Sequence, residues 1–491
     1  MTDTAKPLGT TCYQPRDQDA FARVSRDVNP IHVDPLAARR LLTGRQVVHG
    51  IHVLLDAIER WAQATGSPLT HIECVFRNPV SVGDQVEFIY HSSSHQTTVV
   101  EANVGALNCA HVTLSHAPPT DTDRPSPSET AAVVEDARNL DAAMSIPMDE
   151  KPDAHAGQHY VLPIEDGGAQ EAFPHCCRLV GADAVASLMA LSYFVGMVCP
   201  GLHSVFSSLT LRPTPREAQS RHLRFHVRSF DPRFRLFDVR FAGEISGRLQ
   251  AFQRPPAQRQ ASMLELSRQV QPREFAQSCS LVIGGSRGLG ELVAKILAAG
   301  NGNSVITYAS GHDDARRVAD EINAAGGGSC QIRKLDLSHD RLFDLALDWS
   351  DVDAVYYFAT PRIFRKRPGT FDPQLFEEFC ATYVTRFHEL CLFLESARTD
   401  GVIKVCLPST VAIDERPRGM TEYAMAKSAA EILAQDINRT FKHVRVETTR
   451  LPRLNTDQTA GIVSVPTDSN EATLLPLIRS MHAKPPPAGH A

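Results

Sequence analysis

The feature that most constrains this chain is a change of grammar near residue 279. From there β-type and helical runs alternate: SLVIGG before a helical stretch ending at Ala299, SVITYA before DDARRVADEINAAG, then SCQIRKLDL, DAVYYFA, VIKVCLPS and VRVETTRLP. Short strands that are apolar throughout must be covered on both faces, and the intervening helices supply the cover. The pattern over residues 277–483 therefore predicts a doubly wound parallel α/β sheet. Its first strand runs into Gly284, Gly288 and Gly290, spaced G-x-x-x-G-x-G, with Arg287 and Leu289 inside the turn and a helix following at once. Glycines in that context let the backbone of a helix N-terminus approach an anion such as a dinucleotide pyrophosphate.

The earlier half of the chain follows another pattern, and follows it twice. Residues 20–116 read as a helix, a loop, the long helix HGIHVLLDAIERWAQAT and the β-type runs LTHIECVFRNPV, DQVEFIYHSSS, TTVVEANVG and ALNCAHVTLSH. Ile51, Leu54, Leu55, Ile58 and Trp61 recur at helical spacing in the long helix. Residues 159–253 repeat the theme with AVASLMALSYFVGMV and then SVFSSLTLRP, HLRFHVRSFD, FRLFDVRFAG and EISGRLQAFQR. One helix followed by several antiparallel strands, twice, predicts two related α+β units side by side. Dense Pro, Ser, Thr and Asp over residues 117–130, and RPPAQRQ from Arg254, mark linkers. The expected organisation is a first unit over 1–120, a linker over 121–158, a second unit over 159–256, a linker over 257–276, the doubly wound domain over 277–483, and a disordered tail over 484–491.

Hydrophobic residues make up 43% and charged residues 22% of the 491, the mix of a globular enzyme. The net charge of −6 and scattered Lys and Arg argue against nucleic-acid binding. Eleven cysteines include no C-x-x-C pair, and the adjacent Cys176 and Cys177 read as buried structure. Reduced thiols, with no apolar export segment at the N-terminus, point to a cytoplasmic protein. The most apolar run, residues 184–199, is short for a membrane span and reads as a buried helix, so no membrane insertion is expected. No metal site is expected either.

Two blocks in the first unit carry chemistry. D-x-N-P-x-H sets Asp27 and His32 five residues apart, and Pro30 keeps Asn29 out of helical geometry, so that both side chains can converge from a bent loop. A carboxylate beside an imidazole can abstract one proton and donate another, which the addition or removal of water requires. About 15 residues later V-V-H-G opens the long helix, where Gly50 offers a close-approach N–H at the positive end of the dipole. In this order the blocks resemble the (R)-specific enoyl-CoA hydratases, the MaoC-like dehydratases with a hot-dog fold, over residues 15–116. The resemblance implies Asp27 and His32 as the catalytic pair and Gly50 as oxyanion donor. His49 is read as positioning the helix start, and Gln46 stands where the family often has Pro. The second unit looks like another hot-dog in which Gly181 and Ala182 replace His-Gly. Without the Asp/His loop it is read as a non-catalytic half completing a double hot-dog and helping to form the acyl tunnel, with His203 structural or lining rather than catalytic.

In the C-terminal domain PSTVAIDERPRGMTEYAMAKSAAE places Tyr423 and Lys427 as Y-x-x-x-K, one helical turn apart on a shared face. An ammonium near a phenol lowers the phenol pKa, so that Tyr423 could exchange a proton with a carbonyl oxygen. Following a PST strand end, and about 135 residues beyond the glycine turn, this resembles the short-chain dehydrogenase/reductase family, with its Rossmann-type sheet. The resemblance implies Gly284, Arg287, Gly288, Leu289, Gly290, Asp336, Tyr423 and Lys427 as cofactor contacts, and Ser409 or Thr410 as the hydroxyl partner. Ser409 is preferred by residue type, while Thr410 has the commoner spacing. Arg287, and the absence of an acid after VITYAS, favour NADP over NAD. The chain departs from the family at Ile283, at Phe358-Ala359-Thr360-Pro361 in place of N-N-A-G, at Tyr383 in place of the active-site Asn, and at Pro452-Arg453.

Joined, the two resemblances imply a bifunctional enzyme, an α+β double hot-dog followed by an α/β Rossmann-type doubly wound parallel sheet. NADPH-dependent reduction of a 3-ketoacyl thioester would precede dehydration of the (R)-3-hydroxyacyl product, in fatty-acid or polyketide metabolism. Acyl-CoA and acyl-carrier-protein thioesters both remain open, as does homo-oligomerisation. One alternative keeps only the hydratase/dehydratase and makes the second domain a degenerate nucleotide-binding module. A further alternative is a non-enzymatic thioester- or carrier-binding scaffold.

Overall fold

The computed structural model describes residues 5–41, 43–67, 69–94, 96–116, 136–141, 144–165, 167–214, 221–340, 345, 347–365, 370–461 and 465–483. The chain divides into two compact units, Met1–Pro256 with Gly461–Ser464, and Ala257–Ala460 with Val465–Ala491.

In the first unit two apolar helices are each wrapped by half of one sheet. The helix Gly50–Thr65 buries Ile51, Leu54, Leu55, Ile58 and Trp61 on its core side and stops at Gly66, whose φ of 65° suits a residue without Cβ. Its counterpart Ala182–Tyr193 is apolar around its whole circumference and continues into a π-helical turn, Phe194–Val198. Such a helix must be buried on all sides, and nearly every residue in it is. Among the described residues no single helix is long and apolar enough to cross a membrane, although the pair Pro174–Val180 and Ala182–Val198, bent by 111°, passes on length and composition together.

The sheet strands are β1 (Lys6–Cys12), β2 (His71–Phe76), β3 (Gln85–Ser94), β4 (Thr97–Val104), β5 (Leu107–Ser115), β6 (Arg138–Asn139), β7 (His159–Pro163), β8 (Ser204–Pro213), β9 (His222–Asp231), β10 (Leu236–Ala242) and β11 (Ile245–Gln253). Their order is β1-β3-β4-β5-β2-β8-β11-β10-β9-β7-β6. Antiparallel pairing of β2 with β8, Ile72 opposite Leu211, fuses the two repeats into a single eleven-stranded sheet. Alternate residues, among them Val86, Phe88, Val100, Ala102, Leu209, Leu211, Phe225 and Val227, face the helices in one continuous core. This is an α+β double hot-dog. The linker expected over 121–158 is partly structured. Residues 138–139 add an edge strand, and His155 is buried with its Nδ1 2.8 Å from Tyr160 Oη. The stretch 117–130 lies outside the described residues.

The second unit holds β12 (Cys279–Ile283), β13 (Asn303–Tyr308), β14 (Cys330–Lys334), β15 (Ala354–Tyr357), β16 (Ile403–Thr410) and β17 (Val444–Leu451). All pair in parallel, in the order β14-β13-β12-β15-β16-β17. The order reverses between β13 and β15, on either side of β12, which is the doubly wound Rossmann-type arrangement and opens a crevice at the carboxyl end of β12. The second expected linker, 257–276, packs into this unit. Ser262 and Glu265 form a capping box on the short helix Met263–Leu266, and Met263, Leu266, Val270 and Phe275 join the core. The tail 484–491 lies outside the described residues.

Candidate active sites

The first candidate site forms where the helix Pro15–Ser25 ends. Arg26, at φ 62°, turns the chain, and Asp27 follows with 2% of its surface exposed. Asn29 caps the one-turn helix Pro30–Val33 by accepting from Ile31 N at 3.2 Å, so His32 sits on a fixed turn rather than in an open loop. Its amide donates to the carbonyls of Gly196 (2.7 Å) and Gly201 (3.0 Å), tying the loop to the second repeat. His32 Nδ1 lies 2.6 Å from the Val47 carbonyl, which can only accept. The proton is therefore on Nδ1, and Nε2 keeps a lone pair. Gln46 donates to the His32 carbonyl at 3.2 Å, so the residue that departs from the family pattern steadies the same turn.

Asp27 is held from several directions. Ser192 Oγ donates to Oδ2 at 2.7 Å and Asn29 N donates to Oδ1 at 3.2 Å, while His49 Nε2 is 3.0 Å from the Asp27 carbonyl. His49 also stacks on His32, ring centroids 3.8 Å apart, and stands at the N-cap position of the helix that Gly50 opens, its side chain making no cap hydrogen bond. Ligand atoms of Asp27, His32 and His49 all lie within 4.8 Å of one another. Burial raises the Asp27 carboxyl to about 7, against the Ser192 and Asn29 hydrogen bonds that lower it. Burial pushes His32 down to about 4, helped by the charge of Arg254. Of the two groups only Asp27 is poised near neutrality. At neutral pH the pair is a half-protonated acid beside a neutral imidazole, in proportions suited to donating one proton and accepting another.

The second repeat lacks its own Asp/His loop, and Gly181-Ala182 begins its helix as His49-Gly50 begins the first. It is nonetheless part of the site. Ser192 comes from its helix, and Gly196, in the π-helical turn, leaves space for the carboxylate. A Cβ there would lie 2.2 Å from Asp27 Oδ1. Sequence reasoning passed over Ser192 and Gly196; their only signal was a hydroxyl and a glycine in an otherwise apolar run. His203 ties the start of β8, its Nε2 3.2 Å from Asp149 and its carbonyl accepting from Arg254 N at 2.8 Å.

The second candidate site lies at the carboxyl ends of β12, β15 and β16. Gly284 (φ 80°) and Gly288 (φ 60°) adopt left-handed backbone, and Gly288 opens the helix Gly288–Ala299, with Leu289 as its second residue. A Cβ on Gly290 would fall 2.3 Å from the Gly284 carbonyl, whereas one on Gly288 would meet nothing within 4 Å. The turn is thus tight inside and open outside. Arg287 Nη1 lies 3.4 Å from Asp457 Oδ2, so its guanidinium shares its charge with a carboxylate of the same unit. Asp336 caps a turn after β14, accepting from Ser338 N at 3.0 Å.

Tyr423 and Lys427 are both buried on the helix Thr421–Thr440, as their spacing implies. Their relation differs from the expectation. Lys427 Nζ donates to the Pro408 carbonyl at 2.7 Å and sits 3.9 Å from the centre of the Tyr383 ring, but 6.0 Å from that of Tyr423. Tyr383 occupies a π-helical turn, Ala381–Arg386, with its hydroxyl bonded to Thr360. Its π face takes the ammonium. Burial lowers Lys427 to about 7 and raises Tyr423 to about 12, so the phenol is not acidified. The preference for Ser409 also needs correction. Neighbouring residues of a strand point to opposite faces. Ser409 Oγ donates to Glu431, itself clamped by Arg450 at 2.6 Å, while the Thr410 hydroxyl, accepting from Ala412 N at 3.1 Å, tempers the rise of the Tyr423 phenol.

Residues 2–109 match the family model described as MaoC like domain. The N-terminal repeat is a MaoC-like domain. The mitochondrial 3-hydroxyacyl-[acyl-carrier-protein] dehydratase of Arabidopsis thaliana is 33% identical over 79 residues, which is 16% of this chain and 47% of that protein. The match thus spans less than half of that relative's length. Similar solved structures include an oxidoreductase from E.coli (19% identity, 43% of this chain, 92% of that one, TM-score 0.39). They also include a putative short chain dehydrogenase from Shigella flexneri complexed with NADP (19%, 43% and 93%, TM-score 0.39). A third is FolM alternative dihydrofolate reductase 1 from Brucella canis complexed with NADP (20%, 36% and 74%, TM-score 0.32). The assignment of the second unit's fold rests on its own strand order.

Proposed function

We propose that the first unit interconverts (R)-3-hydroxyacyl and enoyl thioesters, and that the second reduces the matching 3-ketoacyl thioester with a nicotinamide cofactor, NADP rather than NAD. The observation that carries the first half is the buried Asp27 carboxyl, bonded to Ser192 and within 4.8 Å of a His32 nitrogen. In dehydration His32 Nε2 takes the α-proton of the thioester. Asp27 gives its proton to the 3-hydroxyl as the C–O bond breaks, and water leaves. The helix start at Gly50 would stabilise negative charge on the thioester oxygen. In hydration each proton moves the other way. The Arabidopsis thaliana relative is a 3-hydroxyacyl-[acyl-carrier-protein] dehydratase, which supports this substrate class, with either a carrier protein or CoA as the thiol.

For the second unit, the turn at Gly284, Gly288 and Gly290 is tight inside and open at Gly288, which suits close approach of a pyrophosphate to a helix N-terminus. These glycines with Leu289, Arg287 and Asp336 would hold a dinucleotide, and its nicotinamide would supply hydride when bound. Tyr423 would hand a proton to the substrate oxygen, with Thr410 orienting it. One observation favours a second reading, in which this unit binds nucleotide without reducing anything: Lys427 lies closer to the Tyr383 ring (3.9 Å) than to that of Tyr423 (6.0 Å). The eleven cysteines are free thiols, which supports a cytoplasmic setting.

Purified protein given crotonyl-CoA should lose enoyl absorbance, and Asp27→Asn or His32→Ala should abolish that loss. Given acetoacetyl-CoA and NADPH it should oxidise the nucleotide, and Tyr423→Phe should prevent this while sparing hydration. Hydration without NADPH oxidation, on CoA and carrier-linked substrates alike, would select the second reading. Undiminished hydration by Asp27→Asn would overturn the first assignment.

A further inference from the structure

We propose that two copies of this chain pair back to back through the outer face of the eleven-stranded sheet, the basic half of each covering the acidic half of the other. Outer here means the side pointing away from the two buried helices. On it β8–β11 carry Arg212, Arg224, Arg228, Arg240 and Arg248, with Arg224, Arg228 and Arg248 exposed. Register sets Arg240 directly opposite Arg248 of β11; on its other side lies His226 of β9, whose pKa burial lowers and whose ring stacks on His159 of β7 at 4.1 Å. Directly opposed like charges destabilise a sheet. Asp238 offsets part of this, 2.5 Å from Arg248 Nε and 3.9 Å from Arg228 Nη1, and at the rim Asp231 is taken by Arg233 at 2.9 Å. Arg212 and Arg224 add further positive charge to this face in a chain whose net charge is −6.

Across the β2–β8 seam the sign reverses. Glu73 of β2, Glu87 of β3 and Glu101 of β4 project from the same face, Glu73 and Glu87 exposed and Glu101 3.2 Å from His111. Among the described residues of β1–β5, no Lys or Arg projects from it; Lys6 stands opposite the core-facing Tyr90. The face is therefore bipolar, with its boundary at the seam between the repeats. A two-fold axis parallel to the strands at that seam sets each basic half on an acidic one, whereas an axis across the strands sets like on like. The isologous arrangement is closed, so it ends at a dimer. The sheet curves round the buried helices, so the contact centres on the strands about the seam, and a stable complex needs about 800 Å² per partner.

Light scattering on the eluting full-length protein tests this. Wild type should run as a dimer at about 50 mM salt, and its dissociation constant should rise at least about tenfold by about 500 mM, as screened charges require. Arg224→Glu/Arg240→Glu/Arg248→Glu, acidic on both halves, should be monomeric, as should Glu73→Arg/Glu87→Arg, basic on both. Mixed in equal amounts, the two should form a heterodimer. Circular dichroism and crotonyl-CoA hydration check that each variant is folded, and either variant alone tests the face should the other fail to fold. A monomeric wild type at low salt would overturn the proposal. So would two folded variants that keep the wild-type dimer mass, or a mixture that stays monomeric.

Discussion

Gly196→Ala tests the construction of the first site from a residue that touches no substrate in the proposed reaction. The new Cβ would stand 2.2 Å from Asp27 Oδ1 and 2.5 Å from its Cγ and Oδ2, where a tolerable contact begins near 3.0 Å. The carboxylate must therefore withdraw by about 0.8 Å. It has no slack, since Ser192 holds Oδ2 at 2.7 Å, Asn29 N holds Oδ1 at 3.2 Å and only 2% of the residue reaches solvent. A misplacement of about 1 Å in a reacting group can cost ~100-fold in rate, equivalent to about 2.7 kcal/mol of barrier. Overpacking costs a further ~1–3 kcal/mol of stability, seen as a lower Tm. The assay is crotonyl-CoA hydration, with kcat expected to fall about 100-fold and circular dichroism unchanged. A folded Gly196→Ala enzyme with kcat within about threefold of wild type would refute the placement of the carboxylate.

The same site should leave a signature in stability against pH. Asp27, raised to about 7, binds its proton more tightly when folded, so it lowers stability as pH rises from its unfolded value of ~3.9 to about 7. His32, lowered to about 4, does the opposite, and stability is lost as pH falls from ~6.5 to about 4. The two slopes oppose each other; relative to wild type, denaturant unfolding of Asp27→Asn should show a steeper rise in stability from pH ~4 to ~6.5, and His32→Ala a shallower one. In the second unit, Thr410→Ala should raise the Tyr423 phenol above its value of about 12, while Ser409→Ala should leave it unmoved. Tyrosinate absorbance, taken as a difference against Tyr423→Phe, reads both. Tyr383→Asn should release Lys427 from the ring, lower the Tyr423 titration by at least about one unit and speed NADPH oxidation with acetoacetyl-CoA. An unchanged titration would show that the ring does not hold the ammonium.

Local signals were enough wherever one stretch of chain sets its own geometry. Pro30 and the five-residue spacing placed Asp27 and His32 on one compact turn, and the glycine spacing marked the tight turn after β12. Alternation of apolar strands and helices announced the parallel sheet, and the repeated helix-then-strands order announced the two repeats. The hydroxyl choice at Ser409 and Thr410 was not legible, because two adjacent strand residues differ only in which face they present. What surrounds each face is set by helix Thr421–Thr440 and by Glu431. Residue type alone could not choose between them.

Sequence by itself determined the two fold classes and the identity of the paired groups, since periodicity and spacing act over a few residues. Only the tertiary structure decided how those groups behave. The β2–β8 pairing brings the second apolar helix alongside the Asp27 loop, so a serine 165 positions away sets its hydrogen bonding and a glycine its room. Burial then moves Asp27 up and His32 down, and sets Lys427 on the Tyr383 ring. Desolvation and packing depend on every neighbour at once, and those neighbours come from remote parts of the chain.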